Sequence, residues 1–191
     1  MTNGEPLYAS LLARRSAKAK DLIAPGPDSG QIERMVLAAS RAPDHGRLVP
    51  FRFVMIGEDR RTAFATVLAA AAKQENPGLS ASEVDRARDK AFEGPCLIAM
   101  IARVDVAHPK IPASDQWLTA GCALENLLLA AQALGFAVAV RSGRYLEMAV
   151  VREAFALAPV EHFVCFLAVG TPADYPPAKP KPSLDQVLSR W

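Results

Sequence analysis

Apolar residues recur along this chain with the two periods that distinguish helices from strands. Between Asp28 and Arg41 they stand three and four positions apart, which predicts an amphipathic helix. Residues 51–56, 96–102 and 163–169 form short apolar runs bounded by turn residues, which predicts strands. The last two runs contain no polar alternation, so we expect both of their faces to be covered.

Four further helices are expected, over residues 60–74, 82–92, 115–134 and 147–156. The third is apolar all round, so it should lie in the centre of the fold or at a large subunit interface. Ser114 or Asp115 is expected to cap its first turn, and a strand should follow over 136–140. The elements alternate too irregularly for repeated βαβ units, which favours a sheet with helices around it.

Residues 118–140 form the one stretch whose length and apolarity suit a membrane span. Glu125 opposes that interpretation, because a carboxylate near the middle of a span costs about 3 kcal/mol. Gly135 is better explained as the end of a helix that packs inside a protein. We therefore expect no membrane as a partner.

The composition fits one globular domain over residues 1–191, with 51% of the chain hydrophobic. A formal net charge of +2 gives no reason to expect nucleic acid as a partner. The first residues lack the basic and apolar regions of a secretory signal, so a cytoplasmic location is expected.

Cys96, Cys122 and Cys165 are widely spaced in apolar runs, which favours packing as small hydrophobic residues over a disulfide or a metal site.

The C-terminal segment 170–191 is expected to form an arm. Its first thirteen residues include five prolines, which exclude a helix there and favour an extended chain. Leu184, Val187, Leu188 and Trp191 then stand at helical spacing. This apolar stripe favours docking along a partner subunit, while a loose tail remains the alternative.

Three short cationic segments carry the candidate chemistry. They are Arg14-Arg15-Ser16 with Lys18 nearby, the loop around His45 that joins a helix to a strand, and Arg141-Ser142-Gly143 after a strand. Loops held by rigid elements are where binding residues are commonly placed. Three such segments in one small chain predict a small, multiply charged anion as the ligand.

Five motifs, in this order, resemble the FMN-dependent nitroreductase family, specifically its small NAD(P)H nitroreductase branch. They are Arg14-Arg15-Ser16, residues 41–45 followed by Pro50 and an aromatic residue, Ala120-Gly121-Cys122-Ala123, Arg141-Ser142-Gly143 and Gly170-Thr171-Pro172. The resemblance covers nearly the whole chain. It implies an α+β fold with a mixed sheet surrounded by helices, in an intertwined homodimer that binds FMN at two interface sites. The extended C-terminal arm would reach over the neighbouring subunit.

The resemblance also implies a phosphate site. Its members would be Arg14, Arg15, Ser16, Arg141, Ser142 and Gly143, with the first three also contacting the ribityl chain. The residue types suit that role, because a phosphate monoester takes guanidinium forks, a hydroxyl and backbone donors that a glycine lets approach closely.

Four more residues are implied to contact the flavin. Lys18 would lie near the pyrimidine edge of the ring, where a cation stabilises the anionic reduced form. His45 and the backbone around Leu48 and Val49 would approach from the other subunit. Val49 stands where relatives often have a glutamine or asparagine, so a side-chain hydrogen bond is lost there.

The expected function is that of an FMN-dependent oxidoreductase with a ping-pong mechanism. NAD(P)H would pass hydride to flavin N5, and a nitroaromatic, quinone or similar electron-poor acceptor would then be reduced. No catalytic side chain and no metal are expected, because the cofactor carries the hydride. Two alternatives stay open: a flavin-binding sensor or carrier without efficient NAD(P)H turnover, and a cofactor-free dimer whose basic loops bind another phosphate compound.

Overall fold

The computed structural model describes residues 4–175 and 180–191. Within these residues the chain forms α-helices and strands in an α+β arrangement, which confirms the predicted class. The helices are α1 (Glu5–Ala13), α2 (Ser29–Ala39), α3 (Arg61–Glu75), α4 (Ala81–Asp89), α5 (Ala113–Ala133), α6 (Ala149–Ala154) and α7 (Leu184–Val187). The strands are β1 (Leu22–Ile23), β2 (Phe51–Ile56), β3 (Cys96–Arg103), β4 (Ala137–Arg141) and β5 (Glu161–Pro172).

The sheet is organised around β5, which pairs with β3, β4 and β1, while β2 pairs with β3. Ala99 of β3 stands opposite Phe166 of β5, and Val140 of β4 stands opposite Leu167. All four pairings within residues 4–175 and 180–191 are antiparallel. The described sheet is therefore antiparallel, whereas the resemblance implied a mixed one.

Alternate side chains of the central strands enter two separate hydrophobic clusters. Leu97 and Ala99 of β3 face a cluster that includes Phe64 and Leu68 of α3. The intervening Ile98 belongs to the other cluster, which α2 and α5 cover. Because successive side chains of a strand point to opposite faces, this explains why the continuous apolar runs of β3 and β5 form strands covered on both faces.

Several predicted boundaries agree with the structure, and one predicted cap is wrong. Strand β2 spans the predicted 51–56, and α2 begins after Asp28, whose carboxylate caps it by accepting from the backbone N–H of Gln31 at 2.8 Å. Helix α5 begins earlier than predicted, with Pro112 at the N-cap position and no side-chain cap. Ser114 and Asp115 therefore lie inside the first turn, and the Asp115 carboxylate is free to contact another segment.

Two elements were not predicted and others are shorter than expected. The apolar N-terminal stretch forms α1, and β1 is a two-residue strand that extends the sheet beside the end of β5. The predicted helix over 82–92 ends as a 3₁₀ turn from Lys90 to Phe92. The one over 147–156 is shortened to α6 and is preceded by a 3₁₀ turn from Arg144 to Glu147. Of the predicted arm, residues 176–179 lie outside the described residues.

Several large apolar side chains remain exposed in the single chain, among them residues of α1, α5 and α7. Helix α5 buries one face, but Trp117 and Leu118 are exposed, so the helix is not surrounded by its own chain. Cys122 on the same helix is also exposed, which corrects its expected packing. Leu7, Leu11 and Leu12 of α1 and Leu184 and Val187 of α7 are exposed as well. No helix among the described residues has the length and apolarity that crossing a bilayer requires.

Candidate functional site

The segment that follows α1 runs in an extended conformation beside β4. The backbone N–H of Ala17 donates to the carbonyl of Val138 at 3.3 Å. Ala17 and Ala19 are buried, whereas Ser16, Lys18 and Lys20 are exposed. Residues 16–18 follow the alternation of a strand with one covered face, so the Ser16 hydroxyl and the Lys18 ammonium project from the same side. Lys20 follows in a 3₁₀ turn from Ala19 to Asp21.

These side chains line an open cavity of about 470 Å³ next to the end of β4. The cavity brings together three of the predicted cofactor-binding residues, Ser16, Lys18 and Arg141. Glu93 and Lys20 also line it, and sequence reasoning missed both. A signal existed for Glu93, because it precedes Gly94-Pro95 in a loop that leads directly into a buried strand, the kind of place where binding residues occur.

Arg14 and Arg15 lie in an adjoining recess that shares Ser16 and Val140 with the first cavity. Its walls come from α5, β4 and Tyr175. The Arg14 Nε lies 3.3 Å from a carboxylate oxygen of the half-exposed Glu125, and the guanidinium of Arg15 stacks over the Tyr175 ring at 4.7 Å. The two arginines thus lie beside Ser16. Arg14 is partly neutralised by Glu125, and Arg15 is held by the aromatic face of Tyr175.

Arg141 is engaged by a carboxylate from the neighbouring loop. Its Nε and Nη2 atoms donate to the two carboxylate oxygens of Glu93 in a bidentate pair. Both side chains are only partly exposed, at 36% for Arg141 and 21% for Glu93. The guanidinium lies where the sequence predicted it, but the edge that would grip a phosphate is already used by Glu93.

Lys90 and Tyr145 extend this charged cluster behind Arg141. The Lys90 ammonium lies 4.5 Å above the Tyr145 ring, in cation–π geometry. Burial, together with the nearby Arg141 charge, lowers the pKa of Lys90. Burial raises the pKa of Tyr145 to about 12, so its hydroxyl stays protonated in the physiological range.

Gly143 in the predicted Arg-Ser-Gly motif allows Tyr145 to reach this position. Its φ of 149° belongs to a region that side-chain-bearing residues rarely adopt. A Cβ placed there would lie 2.6 Å from the Tyr145 ring atom Cε1. Ser142 beside it is exposed, so the loop presents a hydroxyl and backbone next to the cavity end of β4.

The loop that contains His45, Leu48 and Val49 is a separate, strained structure. Gly46, Arg47 and Val49 all have positive φ, with 48° at Val49. The Asp44 carboxylate holds this geometry by accepting from the backbone N–H of Leu48 at 3.1 Å and of Val49 at 2.7 Å. Side chains rarely tolerate two such positions so close together, so this loop is specified by its internal hydrogen bonds.

The imidazole of His45 is oriented by a second helix. Its Nδ1 lies 2.9 Å from the Asp115 carboxylate in the first turn of α5, while most of the ring is exposed. Sequence reasoning missed Asp115 as a partner because it assigned that carboxylate to capping. Asp115 therefore contacts His45 instead of capping the first turn of α5. The Nε2 atom of His45 remains available to a ligand.

Within one chain, the structure does not bring all predicted site residues together. The Arg14 recess is lined by Gln132, whereas His45 contacts Asp115 near the other end of α5. At the usual rise of an α-helix these two positions are about 25 Å apart along the axis. The ten predicted residues therefore form two groups: Arg14 to Lys18 with Arg141 to Gly143, and the His45 loop.

The described residues contain no group of three or more acidic, histidine or cysteine side chains arranged to hold a metal ion. Burial raises the pKa of the Cys96 thiol to about 11 and that of Cys165 to about 12. These two thiols are thus packed and protonated, as their apolar settings predict.

Comparison with known proteins places these features in one family. The family model described as "Nitroreductase family" matches residues 11–171. A Haemophilus influenzae protein named "Putative NAD(P)H nitroreductase" is 35% identical over 162 residues, which is 85% of this chain and 86% of that protein. A nitroreductase-like family protein from Bacillus cereus superposes with a TM-score of 0.84 at 18% identity, covering 100% of this chain and 98% of the other.

A second similar structure is of a protein described by its cofactors. It is a variant of NfnB, described as an FMN and NADPH-dependent nitroreductase, from Sphigopyxis sp. strain HMH. The two chains superpose with a TM-score of 0.75 at 19% identity, covering 96% of this chain and 97% of NfnB. Likeness at this level of identity concerns the fold.

Proposed function

This chain belongs to the nitroreductase family of oxidoreductases, and from that premise we propose that it is an FMN-dependent NAD(P)H oxidoreductase. The observation that carries the proposal is the cavity beside β4, where Ser16, Lys18 and Arg141 meet. This open space adjoins the recess of Arg14 and Arg15 and shares Ser16 with it, so cations and a hydroxyl lie where a ligand that carries a phosphate would need them. NfnB, which shares the fold, is described as dependent on FMN and NADPH.

The chain's own residues would bind the cofactor in two parts. Arg14, Arg15 and Ser16 would hold the phosphate and ribityl chain, since one arginine has a single half-exposed carboxylate partner and the other rests on Tyr175. Lys18 would face the pyrimidine edge of the ring from the same extended segment. Ser142 and Gly143 would border the flavin through a hydroxyl and backbone.

We propose that a homodimer completes the site. Within one chain the His45 loop lies at the far end of α5 from the Arg14 recess, so a second copy offers the simplest way to bring His45, Leu48 and Val49 to the flavin. The exposed apolar side chains of α1, α5 and α7 would supply the contact surface, with the C-terminal arm crossing to the partner.

Bound FMN would supply the hydride chemistry, taking two electrons from NAD(P)H and giving them to a nitroaromatic, quinone or similar acceptor in ping-pong order. The protein's task would be placement and charge. Lys18 would counter negative charge on the reduced ring, and the apolar Val140 in the cavity wall would leave room for a flat acceptor.

Purification without added cofactor, followed by visible spectroscopy, tests this proposal. We expect a flavin absorption spectrum, either as purified or after reconstitution with FMN, that bleaches when NADH or NADPH is added without oxygen. Reoxidation by a quinone should then restore the spectrum. Arg14→Ala should weaken FMN retention without unfolding the protein, whereas full retention by this variant would contradict the phosphate assignment.

The second candidate is a flavin-binding sensor or carrier without efficient turnover. The observation that favours it is Val49, whose apolar side chain offers no hydrogen bond where relatives often have an amide. In that case the protein would bind FMN, but NAD(P)H would leave the flavin band unchanged in the same anaerobic experiment.

A further inference from the structure

Arg141 in the cavity and the Arg14–Arg15 pair in the adjoining recess differ in how their charges are balanced. Arg141 gives both Nε and Nη2 to Glu93, the bidentate arrangement that also recognises phosphate. Arg14 has one carboxylate contact at 3.3 Å, to a Glu125 side chain that is 47% exposed. The guanidinium of Arg15 contacts the aromatic face of Tyr175. Among the three arginines, Arg14 and Arg15 are therefore more available to an anionic ligand than Arg141.

Glu93 also shapes the charge of the cavity itself. It is the single carboxylate among the described residues that line the cavity, facing Lys18, Lys20 and Arg141. A phosphate at the Arg141 end would have to displace Glu93 from the guanidinium or accept a carboxylate as its neighbour. Both alternatives disfavour a dianion there, because like charges in a partly buried place are poorly screened.

Glu93 also lies close to a second cation, Lys90. Lys90 lies near Arg141 and Glu93, half-buried over Tyr145, and the Arg141 charge contributes to lowering its pKa. Glu93 acts in the opposite direction on Lys90. The Glu93 carboxylate thus offsets the repulsion between the neighbouring cations Arg141 and Lys90. This explains why its two oxygens are both bound by Arg141.

We infer that Glu93 is a specificity-determining residue that keeps phosphate away from the Arg141 end of the cavity and reserves that end for the uncharged part of the ligand. This rests on the proposed function, in which the ligand is FMN. The phosphate then goes to Arg14, Arg15 and Ser16, and the Glu93–Arg141 pair faces the ring portion. The pair serves as a neutral hydrogen-bonding unit that fixes the direction in which the cofactor lies.

Binding of FMN and riboflavin, which lacks the phosphate, distinguishes charge recognition from general packing. The ratio of the two dissociation constants is measured by quenching of flavin fluorescence in four variants. Arg14→Gln should reduce the preference for FMN by about tenfold or more, the usual effect of losing a charge-assisted hydrogen bond. The double variant Glu93→Gln/Arg141→Gln should keep the preference within about twofold, since it removes a pair of zero net charge.

The single variant Glu93→Gln should increase the preference for FMN by about tenfold, because it releases an unpaired cation into the cavity. Glu153→Gln, on the exposed end of α6, is the control for the change in net charge. The inference is overturned if the double variant loses as much preference as Arg14→Gln, or if Glu93→Gln behaves like Glu153→Gln.

Inorganic phosphate gives a flavin-independent measurement. Its stabilisation of the melting temperature should be larger for Glu93→Gln than for the wild type, and the double variant should return to the wild-type response. Equal responses of all three proteins would overturn the role of Glu93. If the wild type binds neither flavin, the proposed function fails, and the phosphate comparison still decides whether Glu93 restricts anions at Arg141.

Discussion

At the scale of single residues, Gly143 is required both by its backbone conformation and by its close contact with Tyr145. Gly143→Ala should reduce the free energy of unfolding by about 3 kcal/mol, from strain at φ 149° and the collision with the Tyr145 ring. Because Gly143 is proposed to border the flavin, the substitution should also weaken FMN binding. Urea unfolding and flavin titration measure the two effects.

Gly135→Ala is the matched control for that substitution. Gly135 also has a positive φ, of 86°, but a Cβ there would meet no atom within 4 Å. It should cost about 1 kcal/mol for the left-handed backbone alone and leave FMN binding unchanged. If the two variants lose equal stability, the Tyr145 contact contributes nothing.

Glu161 supports the opposite end of the sheet and gives a pH-dependent prediction. Its carboxylate accepts from Arg52 at 2.7 and 2.9 Å and from Arg103 at 3.0 Å, and the hydrogen bond from Arg52 is the main reason that its pKa falls to about 2. A carboxyl pKa that is lower in the folded state stabilises the fold above the unfolded value of 4.5. This stabilisation should be lost as the pH falls from about 4.5 towards 2.

Glu161→Gln tests that contribution. It should lower stability at neutral pH by about 2 kcal/mol, because charge-assisted hydrogen bonds to two arginines are lost. It should also flatten the decline of stability between pH 4.5 and 2 relative to the wild type. Urea unfolding over this pH range is the measurement, and parallel curves for the two proteins would contradict the assignment.

At the scale of elements, the loop between α2 and β2 depends on Asp44. Asp44→Ala should free the backbone N–H groups of Leu48 and Val49, which the carboxylate now binds. Hydrogen exchange of these two amides should accelerate by about tenfold or more, corresponding to a local loss near 1.4 kcal/mol. The global stability should change less, because the loop is outside both hydrophobic clusters.

Asp44→Asn is the informative companion. Its side-chain oxygen can still accept one hydrogen bond, so exchange should increase at one of the two amides more than at the other. If neither variant alters exchange, the positive φ values of Arg47 and Val49 are held by other contacts.

Helices and strands were predicted well where neighbouring residues determine them, and poorly where a contact between distant segments does. Strand β2 and the core of α2 were predicted closely because period and turn residues act within a few positions. The first turn of α5 was not, because Asp115 could serve as a cap or contact His45, and the distance along the chain conceals the second option. Helix α1 and strand β1 were missed because one lies exposed and the other is only two residues long.

At the scale of the whole molecule, the exposed apolar side chains predict self-association. Leu118→Asp should prevent formation of the proposed homodimer, since Leu118 of α5 is 68% exposed in the single chain. In a two-fold symmetric dimer each substitution counts twice, so the dissociation constant should rise by about a hundredfold or more. Sedimentation equilibrium measures the change.

Leu37→Asp provides the control, because Leu37 is 57% exposed on α2 and is not part of the exposed faces of α1, α5 and α7. It should remain dimeric and keep FMN. If Leu118→Asp associates as well as Leu37→Asp, the face of α5 is not the subunit contact. If it becomes monomeric yet still binds FMN tightly, the His45 loop of a partner is not needed for the cofactor.

The sequence by itself determined the α+β class, the main strands and helices, and the family, because hydrophobic period and ordered motifs are properties of neighbouring positions. It also named Ser16, Lys18 and Arg141, which the structure brings to one cavity. The cytoplasmic location and the role of each site residue stay predictions. Only the tertiary structure decided which charge faces which: Glu93 with Arg141, Asp115 with His45, and Lys90 over Tyr145. These pairings depend on distances in space between segments far apart in the chain, and no local pattern encodes them.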